Sequence, residues 1–235
     1  DTAAAIASNI TGGGATADAA GSVTISGNAT VAQAALIADQ DNLIGGYAIV
    51  DTAAAIATAI STANGDVTGD RALIAGANSV TVSGFATVAQ AIGDLGTEVR
   101  GLYTLAGVSY AVEDSATAIV SALTGIDSTG ITAATGLYLD SDAGASVEVL
   151  TTLLAQDNWI GDDHDDNAVT AARYYIEDSF DVLQVASENL LAGATTITAN
   201  GTGGADILDM SMLATGMTIN GGAAADTITG TSGAD

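Results

Sequence analysis

The sequence predicts a repeat solenoid of parallel β-strands and short capped helices that leads into a C-terminal parallel β-roll. Three observations predict this fold class. Two kinds of segment alternate along residues 1–195, each segment joins an apolar run of strand period to one of helix period, and residues 201–235 change to a glycine-rich repeat. Because one such segment has too small an apolar face to fold alone, we expect consecutive repeats to stack and bury it together.

The first kind of segment joins a tyrosine, a short apolar run, an aspartate and a hydroxyl residue. It occurs at 47–56, 110–119 and 174–183. Alternating apolar residues predict a strand with one buried face. Asp51, Asp114 and Asp178, each followed by Thr or Ser, predict the N-cap of the next helix. Capping alone accounts for these aspartates, and metal ligation is the alternative.

The second kind of segment occurs at 23–33 and again 57 residues later at 80–90, with a degenerate copy at 137–154. Its apolar residues recur at helical spacing after a short strand, and turns with Gly and Asn lead to the next strand. The predicted repeat units lie near 1–26, 27–50, 51–83, 84–113, 114–141, 142–177 and 178–195. Residues 196–235 form the second predicted domain.

Composition restricts the partners of the chain. It has 28 acidic residues, three Arg and no Lys, and its formal net charge is −25. This charge repels polyanions, so nucleic acid and anionic lipid are not expected partners. Cations are expected partners because they offset the self-repulsion of the fold. A mean hydropathy of +0.41 together with the periodicity favours an ordered chain.

The chain has no Cys, which excludes a disulfide framework and a thiol site. No apolar run approaches the roughly 18 residues that a membrane span requires, and no signal peptide opens the chain. Membrane insertion is therefore not expected. Asp1-Thr2-Ala3 matches the end of the first kind of segment, and Asp235 falls in the middle of a glycine-rich repeat. We therefore expect this chain to be a segment of a longer polypeptide.

The glycine-rich repeat follows the nonapeptide pattern G-G-x-G-x-D-x-U-x, in which U is a large apolar residue. Residues 201–209 fit it except at the second position, and residues 221–229 have Ala224 in place of the fourth-position glycine. Residues 230–235 begin a third copy. Glycines allow tight turns with open carbonyl groups, and aspartate supplies a hard anionic oxygen. The pattern therefore favours a calcium site.

This segment resembles the RTX family, the secreted bacterial proteins whose hemolysin-type calcium-binding repeats wind into a calcium-filled parallel β-roll. The resemblance implies ligation of Ca²⁺ by aspartate side chains and by carbonyl groups of the turns. The side chains are those of Asp206, Asp226 and Asp235, and the carbonyl groups are those near Gly203, Ala205, Ala223 and Ala225. The spacing of 20 residues between Asp206 and Asp226 departs from the family's period of nine. A cluster of glycine-rich surface turns is the alternative.

A second candidate calcium site is the acidic stretch 157–167. Five carboxylates lie within ten residues there, and they repel one another unless a divalent ion lies among them. The predicted ligands are Asp162, Asp163, Asp165 and Asp166. His164 would suit a transition metal instead, and a solvated acidic insertion is the remaining alternative.

A third candidate is Asp140-Ser-Asp142-Ala-Gly144, a fragment of the kind that opens calcium loops. It interrupts the degenerate copy of the second segment, as a functional insertion would. Asp140 and Asp142 are the predicted ligands. A polar turn explains the same residues.

Catalysis is not expected. A serine triad would need His164 as its base, and Lys and Cys nucleophiles are missing from the sequence. The enzymatic alternative is a calcium-dependent, β-helical polysaccharide lyase or epimerase that uses Arg71, Arg100 or Arg173. The negative charge of the chain would repel an acidic polysaccharide.

The sequence therefore predicts a structural extracellular protein, a calcium-stabilised repeat segment of a surface-layer subunit, filament or adhesin. The acidic, Cys-free composition also resembles that of bacterial surface-layer proteins. Self-assembly into a homopolymer or lattice at the cell surface is expected, with a cell-surface polysaccharide as a further candidate partner. A second alternative is the export module of an RTX effector that leaves the cell by type I secretion.

Overall fold

The computed structural model describes residues 1–13, 21–38, 43–61, 74, 76–93, 95, 108–125, 128–140, 144–162, 174–214 and 216–233. The chain divides into two compact units. The first comprises Asp1–Val112 and Gly125–Thr135, and the second comprises Glu113–Thr124 and Gly136–Asp235. The domain boundary predicted near residue 195 stays a prediction.

The strands are short and separated by helices along most of the chain. They are β1 (Asn28–Ala29), β2 (Ala48–Asp51), β3 (Ser79–Ala86), β4 (Val108–Asp114), β5 (Leu137–Leu139), β6 (Trp159–Asp162), β7 (Tyr175–Ser179), β8 (Thr196–Asn200), β9 (Ile207–Asp209), β10 (Thr218–Asn220) and β11 (Thr227–Thr229).

The described helices have five to nine residues. They are α1 (Ala3–Thr11), α2 (Val31–Ala38), α3 (Ala53–Ser61), α4 (Val88–Ile92), α5 (Ala116–Thr124), α6 (Ser128–Thr132), α7 (Val147–Leu154), α8 (Phe180–Val185) and α9 (Glu188–Gly193). Within the described ranges, no helix is both long and apolar enough to cross a membrane.

Strands β1 to β6 form one six-stranded sheet in the order of the sequence, and the strand pairs recorded within it are parallel. The predicted β-α solenoid is therefore wrong. The fold is a mixed α/β arrangement, an open parallel sheet whose strands alternate with helices. Strand, capped helix, turn and strand is the local pattern of both architectures, so the periodicity gave the elements and their direction but not how the sheets are completed.

Residues 175–229 contribute to two further small parallel sheets, one with the order β10-β8-β7 and one with the order β11-β9. The predicted C-terminal β-roll is corrected in the same way, because these sheets are separate and open. Their register follows a step of 20 residues: Thr218 lies beside Thr198, and Ile228 lies beside Leu208.

The core consists of aliphatic side chains from alternate strand positions and from one face of each helix. In the first unit, Ile49 of β2 and Ile56 of α3 are both fully buried. In the second unit, Leu139 of β5 and Leu150 of α7 are buried to the same degree. Burying one such side chain stabilises the fold by about 1.5–3 kcal/mol. Helices α1, α2, α3, α4 and α6 of the first unit pack side by side in that order.

The tyrosine of the first kind of segment is buried in all three copies and joins its strand to the following segment. Its carbonyl oxygen accepts the N–H of a residue just before the next strand. The pairs are Tyr47–Asn78, Tyr110–Thr135 and Tyr174–Thr195, at 2.7 to 2.9 Å. The hydroxyl groups of Tyr110 and Tyr174 donate to carbonyl oxygens of α6 and α9. The sequence repeat therefore corresponds to a repeat of contacts.

The second kind of segment begins its helix with a capping box. Thr87 accepts the N–H of Gln90 at 3.3 Å, and the side chain of Gln90 accepts the N–H of Thr87 at 2.9 Å. Thr30 and Gln33 form the same pair of bonds in the earlier copy. Each box satisfies two N–H groups that a helix start leaves free, which explains the repeated Thr-Val-Ala-Gln sequence.

Candidate metal site

The two complete nonapeptides form equivalent turns that lie against each other. The turn at 201–206 connects β8 to β9, and the turn at 221–226 connects β10 to β11. Gly201 donates its N–H to the carbonyl oxygen of Asn220 at 2.6 Å, and Thr227 donates to that of Asp206 at 2.8 Å. Backbone hydrogen bonds therefore join the turns at both ends, and Asp206 and Asp226 occupy corresponding positions.

The carboxylate of Asp206 closes its own turn. The N–H of Thr202 donates to Oδ2 at 2.6 Å, and the Thr202 hydroxyl lies 3.0 Å from both carboxylate oxygens. The same hydroxyl oxygen accepts the N–H of Gly204 at 3.2 Å. Thr202 is the residue at the second position of the nonapeptide, where the sequence departs from the pattern. The departure supplies a donor to the aspartate.

The carboxylate of Asp226 connects the two turns. Its Oδ1 accepts the N–H of Asp206 at 3.0 Å. Its Oδ2 lies in space left open by Gly221, because a Cβ on Gly221 would come within 2.7 Å of this oxygen. Within the described part of the chain, no hydrogen-bond donor reaches Oδ2. One oxygen of Asp226 therefore remains available to a cation.

Carbonyl oxygens crowd the same space. A Cβ on Gly222, whose φ is +85°, would collide with the carbonyl oxygen of Thr202, and a Cβ on Gly201 would collide with that of Gly221. Only glycine allows the backbones to approach so closely. The two carbonyl groups and Asp226 supply hard, uncharged and anionic oxygens of the kind that Ca²⁺ binds. The residues present therefore fit a calcium ion.

Comparison with protein families, curated proteins and solved structures finds no match. The candidate site is therefore described by its own geometry.

The remaining ligands implied by the resemblance lie on the outside of the turns. Gly203, Ala205, Ala223 and Ala225 are exposed, whereas Asp206 and Asp226 are half-buried. Asp235 lies outside the described residues. The structure thus brings Asp206 and Asp226 together and adds the carbonyl groups of Thr202 and Gly221, which the family pattern did not indicate.

The acidic stretch 157–167 is described only at its start. Asp162 ends β6, where its backbone pairs with Leu139 of β5. Asp163, His164, Asp165 and Asp166 lie outside the described residues. In the part of the chain that the structure covers, no group of three His, Asp or Glu side chains could hold a metal ion. A calcium site in this stretch stays a prediction.

Asp140 follows β5 and is exposed, and its predicted partner Asp142 lies outside the described residues. The N–H of Asp140 donates to the carbonyl oxygen of Asp114 at 3.2 Å. Asp140 also lines a small cavity of about 100 Å³ at the start of α5, together with Ser115, Ala116, Thr117, Leu139, Gly144 and Ala145. One described carboxylate at this position leaves the calcium interpretation and the polar-turn interpretation both open.

The repeated aspartates cap helices, but not the helices that the sequence predicted. Thr52 caps α3, because the N–H of Ala55 donates to its hydroxyl at 3.2 Å, and Asp51 ends β2. Oδ2 of Asp51 accepts the N–H of Val31 in α2 at 2.9 Å, 20 residues earlier. The predicted N-cap is therefore wrong by one residue. The carboxylate binds the start of the helix in the preceding repeat instead.

Proposed function

We propose that this chain is a calcium-stabilised structural segment of an extracellular protein that assembles at the cell surface, as a surface-layer subunit, filament or adhesin. The observation that carries the proposal is the pairing of the turns 201–206 and 221–226, with the Asp226 carboxylate bonded to the N–H of Asp206 at 3.0 Å. Two glycine-lined turns held in register create a concentration of oxygens that a divalent cation stabilises.

Calcium supplies positive charge where the turns bring oxygen atoms together. Oδ2 of Asp226 and the carbonyl groups of Thr202 and Gly221 are the described groups that would hold the ion, with Asp206 beside them. The ion offsets repulsion in a chain of net charge −25. Extracellular calcium modules bind in the range of about 10⁻⁴–10⁻³ M, so folding of this region would be completed after export.

The repeated contacts favour a structural role over a catalytic one. The tyrosine carbonyl groups and the repeated aspartates join each repeat to its neighbour and leave little of the repeated sequence to any other purpose. The three Arg that an acidic-polysaccharide enzyme would use, Arg71, Arg100 and Arg173, lie outside the described residues. No described contact favours that alternative.

The test is thermal unfolding of the 235-residue chain during a calcium titration, with reversal by a chelator. Two variants with the same change of charge separate a site from general screening: Asp226→Asn in the turn, and Asp157→Asn, which is exposed and lies outside the turns. We expect calcium to stabilise the wild type and Asp157→Asn by about 2.7 kcal/mol at a hundredfold excess over Kd. Asp226→Asn should lose most of this gain.

Sodium chloride at matched ionic strength is the control for screening. An equal response of both variants, or no response of the wild type to calcium, would contradict the calcium site. Light scattering on the same samples tests the assembly, since particles that grow with calcium and shrink with chelator are expected. Particles of constant size would contradict the surface-assembly role.

A further inference from the structure

We propose that a second copy of this chain docks, strand to strand, on the outer edge formed by β10 and β11, here called the C-terminal edge. The inference rests on the proposed function, and it names the partner and the surface through which assembly begins.

The opposite edges of both small sheets are covered by the chain itself. The side chain of Gln184 in α8 donates to the carbonyl oxygen of Ile207, which occupies the edge of β9 away from β11. On β7, the N–H of Ala145 donates to Tyr175 at 2.9 Å, and the N–H of Glu177 donates to Ala145 at 3.0 Å. The C-terminal edge is therefore the one that stays open in each sheet, among the strands that the structure describes.

The backbone of the C-terminal edge presents one residue from each strand. In β11, the N–H of Thr227 and the carbonyl oxygen of Thr229 both bond inward, to Asp206 and Met210. Because both backbone groups of a strand residue face the same side and successive residues alternate, those of Ile228 face outward. The bond from Gly201 to the carbonyl oxygen of Asn220 places Ile219 in the same position on β10.

Side-chain burial shows that this edge lacks a covering layer. Leu208 of β9 and Ile228 of β11 are register partners on the same face. Leu208 is fully buried, whereas Ile228 is 40% exposed. A strand added beyond β11 would cover Ile228 as β11 covers Leu208, and the burial of this apolar surface favours the addition.

The charge distribution indicates a second copy as the partner. Strands β10 and β11 read Thr-Ile-Asn and Thr-Ile-Thr, and residues 210–225 and 227–234 carry no charge in a chain of net charge −25. Two copies repel each other over most of their sequence and least at this edge. The edge also lacks the Lys, Pro and bulges by which proteins block such pairing. Identical edges that meet about a two-fold axis pair antiparallel.

The decisive variant is Ile228→Pro, studied by sedimentation velocity in millimolar calcium. Proline removes the outward N–H of residue 228 and leaves the inward bonds of Thr227 and Thr229 in place, a position that edge strands tolerate. The matched pair Ile228→Lys and Ile207→Lys adds the same charge to the C-terminal edge and to the covered strand β9, where Ile207 is 66% exposed.

We expect the wild type and Ile207→Lys to form dimers. Both Ile228 variants should associate at least tenfold more weakly. Amide hydrogen exchange of wild-type Ile228 and Ile219 should slow as the protein concentration rises, a result that does not depend on any variant folding. A monomeric wild type, dimers of Ile228→Pro as tight as those of the wild type, or exchange independent of concentration would overturn the proposal.

Calcium stabilisation of the same samples separates the two proposals. An Ile228→Pro variant that dimerises while calcium still raises its Tm overturns this interface and leaves the calcium-stabilised role intact. A wild type without any calcium response contradicts the proposed function, whatever its mass.

Discussion

The Oδ2 atom of Asp178 accepts the N–H of Val147, the first residue of α7, which lies 31 residues earlier, at 3.0 Å. Its Oδ1 accepts the N–H of the following Ser179 at 2.8 Å. Asp51 makes the same pair of bonds, to Val31 and Thr52. One carboxylate thus ends a strand, fixes the turn that follows, and caps the helix of the preceding repeat.

Replacing Asp178 by Ala should lower the free energy of unfolding by about 1–2 kcal/mol, because the start of α7 loses its capping oxygen. Urea denaturation measures the change. Asp157→Ala is the control, since Asp157 is exposed and makes no hydrogen bond among the described residues; its effect should stay within about 0.5 kcal/mol. Equal effects of the two variants would show that the bond to Val147 adds nothing.

Tyr174 predicts a loss of stability at alkaline pH. Burial raises the pKa of this phenol above its usual value of 10.0, so the folded state favours the neutral form. The resulting stability is complete below about pH 10 and is lost as the pH rises through the raised pKa. Tyr174→Phe should weaken this dependence without abolishing it, because burial also raises the pKa of Tyr47.

At neutral pH the Tyr174→Phe variant should lose about 1 kcal/mol, since the hydroxyl no longer donates to the carbonyl oxygen of Leu190. Denaturation curves at pH 7 and above pH 10 measure both effects. Parallel losses of wild type and variant between these pH values would contradict the role of Tyr174.

Thr202 should determine the stability of the first turn before calcium binds. Thr202→Val removes the hydroxyl that reaches the Asp206 carboxylate at 3.0 Å, and we expect a loss of about 1–2 kcal/mol in chelator. Thr202→Ser keeps the hydroxyl and should retain most of the stability. If Val and Ser variants unfold at the same denaturant concentration, the hydroxyl is not what closes the turn.

Gly221 and Gly203 form a matched pair of glycines. A Cβ on Gly221 would come within 2.7 Å of Oδ2 of Asp226, whereas a Cβ on Gly203 meets no atom within 4 Å. Gly221→Ala should displace the carboxylate and weaken calcium affinity at least tenfold, while Gly203→Ala should bind as the wild type does. Isothermal titration calorimetry measures both affinities. Wild-type affinity in Gly221→Ala would place the ion elsewhere.

Local patterns in the sequence predicted the local structure well. Alternating apolar residues at 110–112 and 174–176 lie in or beside the parallel strands β4 and β7, and Val147, Leu150 and Leu153 lie on one helix as their spacing indicates. The Asp-Thr and Asp-Ser pairs marked the change from strand to helix within one residue. These features depend on neighbours in the chain, which a sequence displays directly.

Long-range relationships were harder to predict. The bond from Asp51 to Val31 crosses between repeats, so no pattern within one repeat reveals it. The step of 20 residues that aligns Asp206 with Asp226 was visible in the sequence, but the family's period of nine made it look like a defect. The structure shows a purpose for it, since two strands and two turns fit into one step. Thr202 was detectable only as the position that departs from the pattern.

The bonds that Asp51 and Asp178 make have a consequence for how such a chain can change in length. Each repeat offers the same acceptor to the unit before it and the same tyrosine carbonyl oxygen to the segment after it. Duplication or deletion of a whole unit therefore joins surfaces that already match, with no new packing to be found. Genes for such chains can grow or shrink by recombination in whole units, and each product inherits a working junction.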